Sequence, residues 1–225
     1  MFDLCFMIPA AVGVCSAGVL ALGSAPASQA QVTFNFADAA NTVSGIETTT
    51  ASVTLGGLTL TLDASASAGT DPVVSATGLG GGGVGIATTE MGNSNIEAGD
   101  VLTLSFDADV YLQQLDFGGV GNDAQDPASI SFDTFLFDVF GGNGSETVAG
   151  VAPAGTTFTN GNDTVDFTDG QGYLLTSGSS VTLTTTSTTG QAFNLNGLTV
   201  SAVPEPASLA LLALGGLTLL GRRRD

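Results

Sequence analysis

Apolar residues alternate with hydroxyl-bearing residues along much of the chain, and this pattern predicts β-strands. Leu102, Leu104 and Phe106 are separated by single threonine and serine residues, and the same parity continues to Leu112. A period of two is expected where one face of a strand is buried and the other is wet. We therefore predict one strand that runs through residues 102–112.

Turn signals divide the rest of the central region into short strands. Gly56-Gly57 separates two alternating segments, which predicts a hairpin, because glycines adopt the positive φ values of two-residue turns. In the segment 130–140 (ISFDTFLFDVF) the apolar parity changes near Asp133-Thr134, which predicts a bulge or a short turn. Further strands are predicted at residues 32–36, 164–167, 173–176, 181–186 and 193–200.

The same pattern predicts the fold class. No helical apolar period is sustained between the two ends of the chain, and short strands are separated by Gly, Asn and Asp turns. We expect an all-β domain, an antiparallel β-sandwich of jelly-roll type. Longer apolar runs at the two ends predict an N-terminal signal helix and a C-terminal hydrophobic helix on either side of it.

The N-terminal run has the layout of a secretory signal peptide. Residues 6–22 are apolar, and small residues follow as far as Ala30, which predicts cleavage between Ala30 and Gln31. A cut before Ser28 is an alternative. No basic residue precedes the run and Asp3 lies there instead, which departs from the usual signal. The competing interpretation is an N-terminal membrane anchor.

The charge distribution is one-sided and limits the range of partners. Eighteen of the 21 acidic residues lie between Gln31 and Ala202, where Lys and Arg are both absent. Such a domain repels phosphate backbones, so we expect no nucleic-acid partner. It attracts multivalent cations, although a strongly acidic surface also serves as a general solubility device.

The residue types available exclude several classes of enzyme. The chain has no histidine, and Cys5 and Cys15 both lie in the predicted signal peptide. Ser-His-Asp triads, Cys-His pairs and the common zinc sites are therefore excluded from the mature protein. A carboxylate pair of the glycosidase kind needs only two acidic residues, but tryptophan is absent and only two tyrosines could hold a sugar. We predict that the protein is not an enzyme.

A short pattern, GNDxxD, occurs twice and suggests a cation. Calcium prefers several oxygen ligands from loops, and both copies offer carboxylates and amides at short spacing. One interpretation is therefore structural calcium, and the other is ordinary turn chemistry in an Asp-rich chain. The candidate ligands are Asn122, Asp123 and Asp126 in the first copy and Asn162, Asp163 and Asp166 in the second.

The C-terminal tail has three parts in a fixed order. Pro204, Glu205 and Pro206 precede an apolar run, and Arg222, Arg223 and Arg224 follow it. As a helix, residues 207–221 would extend roughly 22 Å, somewhat less than the ~30 Å of a bilayer core. The arginine cluster is expected to stay in the cytoplasm, which leaves the acidic domain outside.

These three parts together resemble the PEP-CTERM sorting signal, over residues 203–225 only. The resemblance implies that Pro204, Glu205 and Pro206 are recognised by an exosortase, a membrane-embedded cysteine protease or transpeptidase of Gram-negative bacteria. It implies cleavage close to these residues after transient anchoring in the inner membrane. It also implies delivery to the cell surface or an extracellular matrix that contains exopolysaccharide.

The expected organisation has three segments. Residues 1–30 form the signal peptide, residues 31–202 the acidic β-sandwich domain and residues 203–225 the sorting signal. The expected function is that of an exported, non-enzymatic surface or matrix protein associated with exopolysaccharide. A carbohydrate-binding module is the alternative, and a scaffold that associates through its threonine-rich, lysine-free sheet edges is a third interpretation.

Overall fold

The fold is seen in a computed structural model of the chain. It describes residues 30–36, 48–66, 73–75, 83–88, 91–121, 127–142, 145–159, 163–167, 171–187 and 193–203. Both terminal helices predicted from the sequence lie outside these residues. Within the described ranges no helix is long and apolar enough to cross a membrane.

Sixteen strands make up the regular structure of the described residues. In chain order they are β1 (Gln31–Asn35), β2 (Thr50–Leu55), β3 (Leu58–Ala66), β4 (Val73–Ser75), β5 (Gly85–Thr88), β6 (Met91–Asn95), β7 (Asp100–Phe106), β8 (Val110–Gly118), β9 (Ala128–Phe132), β10 (Phe135–Gly142), β11 (Ser145–Val151), β12 (Thr157–Thr159), β13 (Thr164–Asp166), β14 (Tyr173–Leu175), β15 (Ser180–Thr184) and β16 (Asn194–Ala202).

Two large antiparallel sheets form a sandwich, which confirms the predicted fold class. The seven-stranded sheet has the order β11-β10-β9-β15-β7-β3-β2. The six-stranded sheet has the order β1-β16-β8-β13-β12, and β14 also pairs with β8. Strands β4, β5 and β6 form a small third sheet. The first described strand, β1, pairs with the last one, β16, so the two ends of the domain lie side by side.

Both predicted turns are present. Gly56 and Gly57 have φ values of 61° and 83° and connect β2 to β3 in register, as expected for a two-residue hairpin turn. Asp133 adopts φ 53° between β9 and β10, a left-handed conformation that aspartate tolerates better than most residues. The change of parity near Asp133 is therefore a hairpin turn.

The single strand predicted over residues 102–112 is wrong, because the chain turns a corner there. Strand β7 lies in the seven-stranded sheet and β8 in the six-stranded sheet. Between them, Asp107 Oδ1 accepts the Thr59 amide at 2.9 Å and Asp109 Oδ1 accepts the Ser177 amide at 2.7 Å. Strand β7 buries its even-numbered residues, and β8 begins on the same parity with Val110 and Leu112. The apolar parity therefore continues across the corner without a break.

The core between the sheets is apolar and rich in phenylalanine. Phe132 lies at its most aromatic point, with four ring neighbours at centroid distances of 4.9–6.2 Å: Phe135, Phe137, Phe167 and Tyr173. Tyr173 also donates its hydroxyl to Asp133 Oδ2 at 2.9 Å. Because these residues come from both sheets, the cluster joins the two layers of the sandwich.

Candidate functional site

The outer face of the six-stranded sheet is polar, and its centre is the strand β8. This strand buries Val110, Leu112, Leu115 and Phe117 while the residues between them stay half exposed. The neighbouring strands continue the same polar face with Thr33 on β1 and Thr199 on β16, whose hydroxyl oxygens lie 3.1 Å apart. Amide, hydroxyl and carboxylate groups are thus arranged on one surface of the domain.

A β-bulge gives this face its glutamine pair. Thr199 pairs with Gln114 whereas Val200 pairs with Leu112, so Gln113 is an extra residue on β8 opposite β16. The bulge leaves both Gln113 and Gln114 half exposed instead of burying one of them. Bulges commonly re-aim side chains in this way. The carbonyl of Gln113 accepts the Phe167 amide at 2.9 Å, which fixes the bulge to the chain after β13.

The side chain of Gln113 is held in place by two neighbouring strands. Its Oε1 accepts a hydrogen bond from Nε2 of Gln31 on β1, and its own Nε2 donates to Ser201 Oγ on β16 at 3.2 Å. Gln31 and Gln113 are 82 residues apart in the sequence. The fold therefore brings together polar groups that no local motif connects.

A groove of about 190 Å³ crosses this face. In the part of the chain that the structure describes, the side chains of Gln114, Asp166 and Gln171 have no hydrogen-bond partner. Their polar atoms are therefore available to a ligand or to solvent. The groove, named here the glutamine groove, is lined by Gln31, Gln113, Gln114, Asp166, Gln171, Gly172 and Thr199.

Next to the groove, Asp116 is a partly buried carboxylate. Its Oδ1 accepts the Thr164 hydroxyl at 3.0 Å. Burial raises the pKa of Asp116 above its ordinary value, the Thr164 hydrogen bond opposes this, and the nearby Asp166 carboxylate raises it further. Burial likewise raises the pKa of Asp100 and Asp163. No cationic side chain of residues 31–202 compensates these charges.

These pKa shifts predict that the domain gains stability on mild acidification. A carboxylate whose pKa is raised in the folded state binds protons more readily than in the unfolded chain. The stability of the domain therefore falls as the pH rises from the pKa of the unfolded chain to the raised pKa of the folded state. We expect the melting temperature to be higher near pH 5 than at pH 7. Asp116→Asn should raise it by a few degrees at pH 7 and by less at pH 5, as measured by calorimetry.

Asp107→Asn is the matched control, since it removes the same charge from the same domain. The Thr59 amide lowers the pKa of Asp107, which is fully exposed. Its carboxylate therefore favours folding above the ordinary pKa, and this small contribution is lost as pH falls. Asp107→Asn should not stabilise the domain beyond the general relief of charge repulsion. Equal stabilisation by both substitutions would show that burial of Asp116 has no influence.

Two of the candidate ligands in the GNDxxD copies are described, and they have different surroundings. Asp163 has φ 49°, and its carboxylate accepts the backbone amides of Gly119 and Val120, directly before the first copy. Asp166 lies on the outer face of β13, in the glutamine groove. The other candidate ligands, Asn122, Asp123, Asp126 and Asn162, lie outside the described residues. Among those that are described, no three acidic side chains come together as a metal site.

Calcium binding by these loops stays a prediction. Asp163 is engaged with backbone amides, as ordinary turn chemistry requires, whereas the rest of the loop composition suits a hard cation. If calcium supports the fold, removing it with a chelator should lower the melting temperature, and low micromolar calcium should restore it. An unchanged melting temperature after chelation would rule out a structural calcium ion.

A pair of asparagines lies at the far end of the same face. A Cβ on Gly118 would lie 2.4 Å from Asn194 Oδ1 and 3.0 Å from Asn196 Oδ1, so both amides pack directly over this glycine. Asn196 donates to the Phe117 carbonyl at 3.1 Å. Asn194 Oδ1 is buried without a hydrogen-bond partner among the described residues. A side chain at position 118 would displace both amides.

The predicted processing positions lie at the two ends of the domain. Ala30 is exposed and directly precedes β1, whose first residue is Gln31. At the other end, the Val203 amide donates to the Asp109 carbonyl at 3.2 Å, after which the described chain ends. Pro204, Glu205, Pro206 and the arginines at 222–224 lie outside the described residues.

Comparison with known proteins identifies a sorting motif in the C-terminal tail. Residues 202–224 match the family model of the PEP-CTERM protein-sorting motif. The chain thus carries this motif, which implies an exported, cell-surface-directed protein whose sorting depends on an exosortase. No curated protein and no solved structure matches the chain.

Proposed function

We propose that this PEP-CTERM protein is a non-enzymatic component of the cell surface or extracellular matrix that associates with exopolysaccharide. The sorting motif at residues 202–224 carries the proposal, because a protein sent to the surface by this route is delivered where the matrix is. Before processing, the apolar segment after Pro206 anchors the protein transiently in the inner membrane. The exosortase then acts close to Pro204, Glu205 and Pro206.

The residue types of the mature domain support a non-enzymatic role. It has no histidine, and removal of the signal peptide leaves it without cysteine. Histidine, the side chain that most often acts as a general acid or base, and the cysteine nucleophile are therefore both absent. Asp116 and Asp166 lie on the same face, yet no basic residue of the domain is available to hold a reacting sugar beside them. Binding is the chemistry that such a face supports best.

A second candidate function is that of a carbohydrate-binding module, and the glutamine groove favours it. Amides and carboxylates that lie side by side on a sheet form hydrogen bonds with sugar hydroxyls in both directions, because an amide donates as well as accepts. The two candidates agree on location and differ in whether a defined site contacts the glycan. The first candidate, a non-enzymatic matrix component, requires only that the protein is retained in the matrix.

Fractionation of the native host tests matrix association. The mature protein should be recovered with the matrix of the wild-type strain, and it should appear in the culture medium of a strain that makes no exopolysaccharide. An exported protein that lacks residues 203–225 serves as a control for delivery. Recovery of the mature protein in the medium of both strains would overturn the proposal.

A further inference from the structure

We propose that the glutamine groove binds a neutral, hydroxyl-rich glycan and discriminates against glycans that carry uronic acid, phosphate or sulfate groups. This inference rests on the proposed function, and it adds the class of ligand and the residues that contact it. It assigns contact roles to Gln114, Gln171 and Asp166, and a positioning role to Gln113.

The groove offers unpaired hydrogen-bonding groups that match sugar hydroxyls. Gln114 and Gln171 each present an amide that can donate two hydrogen bonds and accept others, and the carboxylate of Asp166 accepts only. None of the three has a hydrogen-bond partner among the described residues. A hydroxyl of a sugar both donates and accepts, so adjacent hydroxyls on one ring can satisfy a neighbouring amide and carboxylate together. Hydrogen bonds to the charged carboxylate are the stronger ones.

The floor of the groove is rigid. The Gln113 side chain is fixed by Gln31 and Ser201, and its carbonyl is fixed by the Phe167 amide. Gly172 passes so close to β8 that a Cβ there would lie 2.5 Å from the Leu112 carbonyl oxygen. Its φ of 82° is also one that glycine adopts without strain. Polar groups held in one geometry before binding lose less entropy when a ligand arrives.

The charge of the groove selects against acidic glycans. Asp166 lines the groove, and the Asp116 carboxylate lies close enough to Asp166 for the two charges to repel each other. Residues 31–202 contain neither Lys nor Arg. Cleavage before Gln31 would place one α-amino group at the edge of the groove, where the two carboxylates outweigh it. An anionic sugar would therefore enter a negative field without a counter-charge. A neutral sugar avoids this repulsion.

The size of the groove indicates one sugar unit of a longer chain. Its volume of about 190 Å³ is below the roughly 300 Å³ at the lower end of sites for drug-sized ligands. Among the described residues that line it, there is no aromatic ring on which a sugar could stack. Each contact is therefore weak, and binding to a polymer with many repeats gains strength through multivalency.

The host's own exopolysaccharide, separated by anion exchange into neutral and acidic fractions, provides the test. The mature protein should bind immobilised neutral fraction at least tenfold more strongly than acidic fraction at low salt. Gln114→Ala and Gln171→Ala should each weaken binding to the neutral fraction about tenfold, as expected for the loss of one hydrogen bond. Asp166→Asn should reduce the difference in binding strength between the neutral and the acidic fraction.

Thr103→Ala is the matched control, because Thr103 lies half buried on β7 in the middle of the other sheet. It should leave binding unchanged, and all four variants should keep the wild-type circular dichroism spectrum. Preferred binding to the acidic fraction would overturn the inference while the proposed matrix association stands. The inference would also be overturned if each of the three groove variants bound the neutral fraction as strongly as the wild type does. Failure to bind either fraction would also overturn the inference, whereas the proposed matrix association is decided separately by the fractionation of the native host.

Discussion

Replacing Phe132 with alanine should destabilise the domain by about 3–5 kcal/mol and lower its melting temperature by roughly 10 °C. Phe132 is 3% exposed and contacts aromatic rings from both sheets. Removing its ring leaves a cavity at the junction of the two layers, where the surrounding rings can collapse only in part. Residues 31–202 contain no cysteine to form a disulfide, so the domain depends on this core alone.

Leu136→Ala is the matched control for this substitution. Leu136 lies on β10 in the same hairpin, but 61% of its surface is exposed. Its truncation should change the free energy of unfolding by no more than about 0.5 kcal/mol. Calorimetry or urea unfolding of the two variants measures the difference. A similar loss of stability in both would show that the aromatic cluster does not join the sheets.

Replacing Pro204, Glu205 and Pro206 together with alanine should abolish sorting. The motif match covers these residues, and the apolar run and arginine cluster that follow them are left intact by the change. The unprocessed protein should therefore accumulate in the inner-membrane fraction with its arginines still attached, and little should reach the surface. Cell fractionation with an antibody against the β-sandwich domain measures the distribution.

Ser208→Ala is the control for the sorting experiment, because Ser208 lies in the same tail outside the Pro-Glu-Pro residues. This variant should be processed and delivered like the wild type. Normal delivery of the triple-alanine protein would contradict the role assigned to Pro204, Glu205 and Pro206.

The elements that sequence could predict are those specified by local chemistry. Gly56-Gly57 and Asp133 mark hairpins because few residues other than glycine and aspartate accept the required positive φ. The corner at residues 107–109 has no such local signal. Its formation depends on hydrogen bonds from Thr59 and Ser177, which are distant in the sequence, so the local pattern predicts a single strand. The pattern also fails to predict strands β4, β5, β6, β11 and β12, since their sequences lack a sustained alternation.

The candidate site was not predictable in the same way. The glutamine groove combines residues from β1, β8, β13 and β16, and only the sheet order brings them together. One local signal was available, because Gln113-Gln114 interrupts the alternation of β8 where the bulge forms. The sequence predicts Asp166 as a calcium ligand, which stays a prediction, and the structure adds that Asp166 lies in the same groove as Gln114 and Gln171.

Mass spectrometry of the mature protein from its native host tests whether the protein is exported and processed at its C-terminus. We expect a chain that begins at Gln31 and ends near Pro204-Glu205-Pro206, so that Arg222, Arg223 and Arg224 are all absent. Any covalent attachment left by a transpeptidase would appear as added mass at that new end. Recovery of the mature protein with residues 222–225 intact would contradict processing at the C-terminus.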